Sequence, residues 1–323
     1  MRAVLLREFG PPGALVAEQV PDPVPGPGQV LIAVEAAGIS FIETQVRAGR
    51  GPNPAHRPTL PVIPGNGVGG VVRAVGAGVD GSLVGTLVVS TTGGSGGYAE
   101  LVAVDAAEPV PVPAGVPLYD ALALLADGRT ALALIRAAAP TGGEWVLVEA
   151  AGGGVGSLLV QLARAAGARV VGAAGSHPKL LVAERAGAEV TVDYTAAGWT
   201  DRVRAATGGG VDMAFDGVGG TIGRAAFDLV RDGGRFIVMG MASGAMAVPD
   251  QAEAERRKVT VIGLWTVPLT PEDLRGLTRE ALAEAAAGRL RPTVGQTFPL
   301  ERAAEAHAAI EARAAIGKTL LIP

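Results

Sequence analysis

The run Trp145 to Ser176, WVLVEAAGGGVGSLLVQLARAAGARVVGAAGS, limits what this chain can fold into more than any other feature. An apolar stretch, Trp145–Glu149, leads straight into Ala151-Gly152-Gly153-Gly154-Val155-Gly156. Helix-forming residues follow over Gly156–Ala166, and a second apolar run covers Ala168–Ala173. An ordinary tight βα turn would also carry glycines. Strand, glycine turn, helix and second strand in this order is the context that a dinucleotide fingerprint requires. Gly153 would let the backbone approach a pyrophosphate, and Gly156 would let helix and strand pack closely. The helix N-terminus would offer unpaired N–H groups and a positive dipole end to the phosphates. Ala151 stands at the first glycine position of the usual pattern.

The end of the second strand separates the two nicotinamide cofactors. A site for NAD usually carries Asp or Glu about 20 residues past the glycines, on the ribose 2′-OH. Here the region reads Val171-Gly172-Ala173-Ala174-Gly175-Ser176-His177, with no acid. Lys179 follows and would make a charge-assisted contact to a 2′-phosphate. A solvated surface lysine is the plainer alternative. Only Lys179, Lys258 and Lys318 are lysines, against a background of arginine, and this rarity favours NADPH.

Around this run the chain changes character. To about Pro117 it holds short β-rich runs, Ala3–Leu6, Val30–Ala36, Gly70–Val75, Leu83–Val89 and Tyr98–Val104, divided by Pro/Gly clusters. That pattern predicts a small, irregular β-barrel-like domain. Leu118–Ala139 has helical spacing. Strands and helices then alternate through Val259–Leu264, which predicts a parallel, doubly wound sheet. Two helical stretches, Asp273–Ala287 and Ala303–Ala314, and a short strand at Thr319–Ile322 close the chain.

Composition excludes several chemistries. There is no cysteine, which removes disulfides, thiolate nucleophiles and cysteine zinc sites. The three histidines, His56, His177 and His307, are far apart in sequence. A net charge of −4 argues against nucleic acid as the main partner. Glu8 interrupts the N-terminus too early for a signal-peptide apolar region, and the expected location is cytoplasmic. Gly93-Gly94-Ser95-Gly96-Gly97 fits the G-x-S-x-G hydrolase pattern, but β-like sequence follows it where a nucleophile elbow needs a helix.

Read together, these residues resemble the medium-chain dehydrogenase/reductase superfamily, and within it the zinc-independent quinone oxidoreductases. Gly38-Ile39-Ser40-Phe41-Ile42-Glu43-Thr44 resembles the family's G-[IV]-N-x-x-D-x segment. The run Pro61 to Val72 resembles P-x-x-x-G-x-[ED]-x-x-G-x-V. Gly97-Tyr98-Ala99-Glu100 matches G-x-Y-A-E, Asp212 to Gly220 matches D-V-x-x-D-x-V-G-G, and Gly317-Lys318-Thr319-Leu320-Leu321 matches G-K-x-V-L. The resemblance implies an α/β fold, a doubly wound parallel Rossmann sheet inserted in a GroES-like β-barrel catalytic domain. The expected limits are 1–120 for the catalytic domain, 121–264 for the NADP-binding domain and 265–323 for the return of the chain.

The resemblance also implies a site. It puts Gly153, Gly154, Val155 and Gly156 on the pyrophosphate, and Gly175, Ser176, Lys179 and Tyr194 around the adenosine 2′-phosphate. Thr130, Val218, Gly240, Met241, Leu264 and Trp265 fall toward the nicotinamide, and Lys318 near the phosphates. Val155, Leu264 and Trp265 could equally be core, and Tyr194 a surface ring. Zinc-dependent relatives carry Cys-His where this chain has Ser40-Phe41, and Gly-His-Glu where it has Gly65-Asn66-Gly67, so no metal is expected. Ser40, Gln45 and Arg129 are candidates for the substrate pocket; Ser40 satisfying local backbone and a solvated Arg129 are the plainer readings. Ser40, Gln45, Glu43 and Asn66 depart from the family's usual residues, which bears on the substrate. The expected activity is NADPH-dependent hydride transfer to a quinone or activated enone. Enoyl or 2-alkenal reduction and non-catalytic NADPH binding stand as alternatives. A homodimer joined through the apolar edge strand Val259–Leu264 is expected.

Overall fold

The computed structural model describes residues 1–51 and 57–323, so His56 lies outside the described residues. The chain divides into two units, Met1–Ala126 with Thr278–Pro323, and Asp127–Leu277.

The first unit opens with β1 (Arg2–Leu6) and β2 (Leu15–Gln19), paired antiparallel. Next come β3 (Gln29–Ile39), α1 (Phe41–Arg47), β4 (Gly67–Val75), β5 (Leu87–Thr91), β6 (Leu101–Asp105) and β7 (Val110–Pro111). The long strand β3 organises them. It pairs β4 along one edge and β6 along the first part of the other, all antiparallel. Its residues alternate: Val30, Ile32 and Val34 are buried, while Gln29, Leu31 and Ala33 are half-buried. This period of two is what a sheet with one face on a core requires. That core gathers Ile32, Val68, Val72, Val102, Leu300 and Leu321.

Two expected strands are shorter than their apolar runs. Gly81–Leu83 forms a 3-10 turn under Asp80, and Gly85, at φ +86°, delays β5 until Leu87. Tyr98 and Ala99 stay outside β6, and Ala99 makes only an isolated bridge to Ala3. The seven-residue α1 is too short to show a helical period in sequence.

The helix α2 (Leu118–Ala138) leads to the second unit, where strands and helices alternate. They are β8 (Trp145–Val148), α3 (Gly154–Ala165), β9 (Arg169–Ala174), α4 (His177–Ala186), β10 (Val190–Asp193), α5 (Trp199–Thr207), β11 (Val211–Asp216), α6 (Gly220–Leu229), β12 (Val230–Val238), α7 (Gln251–Arg256) and β13 (Thr260–Gly263). The sheet order is β10-β9-β8-β11-β12-β13, with every neighbouring pair parallel. β8 is buried along its whole length, as a strand covered on both faces must be. The chain steps outward from β8 to β10 and then returns to place β11 on the other side of β8. The strand order therefore reverses between β8 and β11, the place where doubly wound sheets bind ligands.

The chain then runs through α8 (Pro271–Ala286), β14 (Val294–Pro299), α9 (Ala303–Glu311) and β15 (Lys318–Ile322). β15 pairs β3 antiparallel over Ala37–Ile39, beside the stretch that β6 occupies. The unit limits, at 126 and 277, fall later than the expected 120 and 264. Both crossings lie inside helices, α2 and α8, so no turn or change in composition marks them. Among the described residues, no helix is long and apolar enough to cross a membrane.

Candidate functional site

The glycine turn after β8 is shaped by close approaches. A Cβ on Gly156 would stand 2.3 Å from the Ala150 carbonyl oxygen. One on Gly152 would stand 2.5 Å from the Lys179 Cβ, and one on Gly154 would stand 2.0 Å from Asp127 Oδ2. At Gly152 and Gly156 backbone atoms exclude a side chain, whereas at Gly154 the Asp127 carboxylate would have to move. Gly153 differs: its Cβ would meet only the Ala150 oxygen, at 3.1 Å, so its outer side is clear for a ligand. Gly153 also caps α3 with extended backbone, which leaves the first N–H groups of the helix without intrahelical partners. Val155 is half-buried rather than core. A helix start of this form can present backbone N–H groups to an anion.

The loop after β9 supplies positive potential beside it. α4 starts at His177 with Pro178 and Lys179 in its first turn and no acid there. Lys179 adds its charge to the positive end of the helix dipole, an arrangement that favours an anion. Ser176 precedes the helix without spending its side chain on a cap hydrogen bond. The Tyr194 ring lies against Gly175, where a Cβ would stand 2.9 Å from Cε2. Sheet register brings in two residues that sequence spacing does not flag. Asp193 pairs with Ala174, and its Oδ1 accepts from the Thr195 N–H at 2.8 Å and hydroxyl at 2.6 Å. Arg202 donates from Nη2 to the Asp193 carbonyl at 3.4 Å.

The remaining candidates of this unit continue the series. Val218 follows β11, Gly240 and Met241 follow β12, and Leu264 and Trp265 follow β13. Every candidate of the second unit outside α2 thus sits at the carboxyl end of one of six parallel strands. At roughly 4.8 Å per strand, five steps span about 24 Å. Gly240 is held close to the loop after β11, where a Cβ would stand 2.7 Å from the Gly217 oxygen. The Val218 side chain is buried, its N–H donates to Asp216 Oδ1 and its carbonyl accepts from the Ser243 N–H. Trp265 is 62% exposed and stacks over Gly263. Arg129 and Thr130 are half-buried on α2, within a turn of the Asp127 that abuts Gly154.

In the first unit, Glu43 joins two segments. Its carboxylate accepts from the Ser40 N–H at 2.5 Å and from the Asn66 N–H at 2.8 Å. Asn66 Oδ1 in turn accepts from the Gly94 N–H at 2.7 Å, so this side chain is a turn pin. The Gly93–Gly97 stretch is a loop between β5 and β6, with no helix after it. Lys318 is 4% exposed, and its Nζ donates to Ser40 Oγ at 3.4 Å. Gln45 is buried, with its amide hydrogen-bonded to Thr44 Oγ1 and to Arg50 Nε. His307 bonds the Tyr98 hydroxyl through Nε2 at 3.0 Å. Burial holds His307 down to about 3, so it is neutral, and burial pushes the Tyr98 phenol well up. Among the described residues, no three His, Asp or Glu gather as a metal site.

A parallel sheet with a glycine turn at its switch point, carried in the chain between two segments of a β-rich unit, defines a medium-chain dehydrogenase/reductase. The alcohol dehydrogenase GroES-like domain model matches residues 26–114, and the zinc-binding dehydrogenase model matches residues 154–283. The chain belongs to this superfamily and, within it, to the quinone oxidoreductase-like family. It is 32% identical to a quinone oxidoreductase of Rattus norvegicus, over 100% of this chain and 98% of the relative. It is 31% identical to a 2-haloacrylate reductase of Burkholderia sp, over 99% of this chain and 98% of that protein. The crystal structure of Escherichia coli quinone oxidoreductase complexed with NADPH superposes with a TM-score of 0.90, at 29% identity and 100% coverage of both chains.

Proposed function

We propose that the protein is an NADPH-dependent reductase that delivers hydride to a quinone or an activated enone without a metal. The observation that carries this reading is the placement of Lys179. It is packed on Gly152 of the phosphate turn, in a first helical turn free of acids. The NADPH complex of the Escherichia coli relative supports it. Gly153 to Gly156 would hold the pyrophosphate, and Gly175, Ser176, Lys179 and Tyr194 the 2′-phosphate end. The loops after β11, β12 and β13, with Thr130, would orient the nicotinamide. When bound, the cofactor supplies the hydride; the protein supplies position and charge.

The first unit is the catalytic domain in this reading, with Ser40 as a hydroxyl that can hydrogen-bond an acceptor oxygen. Lys318 donates to that hydroxyl and leaves its proton free to be shared onward. A quinone takes its protons from water, so no dedicated acid is assigned. The metal-free reading rests on the lack of cysteine, on Ser40 and Phe41, and on an Asn66 already engaged with Gly94. The working form is a cytoplasmic homodimer joined along β13, the edge of the sheet.

Reduction of a carbon–carbon double bond is the second reading, favoured by the 2-haloacrylate reductase among the relatives. It would need a proton placed on carbon. Following loss of NADPH absorbance with panels of quinones and of activated enones tests both. Turnover of quinones alone supports the first reading, and turnover of enones alone supports the second. NADPH binding with no turnover on either panel makes the protein a non-catalytic binder.

A further inference from the structure

Two acids are fully buried at the switch point of the sheet, Glu149 and Asp216, each 0% exposed. Glu149 follows β8 and precedes Ala150, which is held at φ +49° at the entry to the glycine turn. Asp216 ends β11, the neighbour of β8. The Glu149 N–H donates to the Phe215 carbonyl at 3.0 Å, so the two strand ends are tied by backbone as well. Asp216 Oδ1 accepts from the Val218 and Gly219 N–H groups at 2.9 and 2.7 Å. Its main-chain oxygen accepts from Met239 and Gly240 at 2.9 and 3.2 Å. Asp216 therefore fixes the loops after β11 and β12, and Glu149 borders the loop after β8.

The remaining oxygens define the chemistry. Glu149 and Asp216 each lie one residue past the paired Val148 and Phe215, so the two buried side chains end neighbouring parallel strands side by side. Glu149 Oε1 and Oε2 and Asp216 Oδ2 are buried without a hydrogen-bond partner. No Lys, Arg or His is among the groups that act on Glu149. On the α6 side Asp216 Oδ2 faces Gly223, whose Cβ would stand 2.6 Å away. Two buried carboxyls at adjoining strand ends resist double ionisation, because burial penalises each charge and the like charges repel. Burial first, and then Asp216, pushes Glu149 well above the usual carboxylate range.

We propose that Glu149 and Asp216 share one proton, and that this shared proton holds the three loops in the arrangement that binds the dinucleotide. Glu149 is thus a positioning residue. The proposal rests on the NADPH reading above. Ionising Glu149 would place a second negative charge beneath a pyrophosphate and drive the strand ends apart. The native state keeps the proton to higher pH than the unfolded chain does. Glu149's contribution to stability is full below its unfolded range and is lost as pH rises through its folded value.

Glu149→Gln keeps a donor to Asp216 that does not titrate. The thermal midpoint of the unmutated protein, without cofactor, should fall from mildly acid to alkaline pH. The fall should be smaller in Glu149→Gln. Over the same range the Kd for NADPH should rise about tenfold per pH unit beyond the folded value in the unmutated protein, and stay nearly flat in Glu149→Gln. KM for NADPH should follow Kd while kcat moves little. A protonated-carboxyl infrared band at neutral pH should vanish in Glu149→Gln. Asp216→Asn, which keeps an acceptor for Val218 and Gly219, should shift the fall in midpoint to lower pH, and it serves if the glutamine variant does not fold. Identical pH dependence of the midpoint in unmutated and variant proteins, with no carboxyl band, overturns the shared proton. A shared proton with pH-independent NADPH binding overturns the positioning role. Absence of NADPH binding at every pH overturns the cofactor reading and that role with it, while the band and midpoint still report on the pair.

Discussion

Lys179 is the single side chain on which the proposed preference for NADPH rests. Its Cβ packs against Gly152 of the glycine turn. Removing it should cost a charge-assisted contact of roughly 1.5–3 kcal/mol, about tenfold to a hundredfold or more in affinity. Lys179→Ala should therefore weaken NADPH binding by that factor and leave NADH nearly unchanged, as read by titration with each cofactor. Equal losses for both cofactors would remove the 2′-phosphate from the explanation. Lys179 was legible because its position follows from local helix geometry. Asp193 and Arg202 were not, since only the register of β10 on β9 brings them to the same strand end.

At the scale of elements, β13 carries the consequence. It lies at the edge of the sheet, and Val261 is 43% exposed. Beside it runs a groove of about 590 Å³, whose walls include Met246, Val248, Val261 and Trp265. Residues Met246–Pro249 line this groove and leave Val261 in the open, instead of closing over the strand. An open apolar edge favours pairing with a second copy. Val261→Lys should leave the fold intact, because the side chain is exposed, and should convert dimer to monomer in light scattering. A stable monomer of the unmutated protein at micromolar concentration would rule the dimer out. The strand itself was readable from its β-branched run, and its edge position from its place last among the βα units. The helix α6 went unread because Gly220 and Gly223 dilute its apolar face.

For the whole molecule, the contrast lies between the matched zinc-binding dehydrogenase model and a chain without cysteine. Glu43 accepts from the backbone N–H groups of Ser40 and Asn66 and so ties the two segments on which the proposed metal-free reading rests. Turnover should survive chelation by EDTA or phenanthroline, and elemental analysis should find no stoichiometric zinc. Activity lost on chelation and restored by Zn²⁺ would show that these residues had been misread. The division into units follows the same logic of scale. A change from β-rich to alternating sequence marks the second unit, yet its limits lie within α2 and α8, where helical sequence runs on unbroken.

Sequence by itself determined what depends on neighbours along the chain. Strand, glycine turn and helix are local, and so are the acid-free start of α4 and the alternation in β3. The missing cysteines needed no structure at all. Tertiary structure decided which distant residues meet. Asp127 fills the space beside Gly154, Lys318 reaches Ser40, and Glu149 and Asp216 are buried at adjoining strand ends. These partners lie tens to hundreds of residues apart, and strand order and register bring them together. No local propensity encodes that order: it is set by burying the apolar faces of many elements at once.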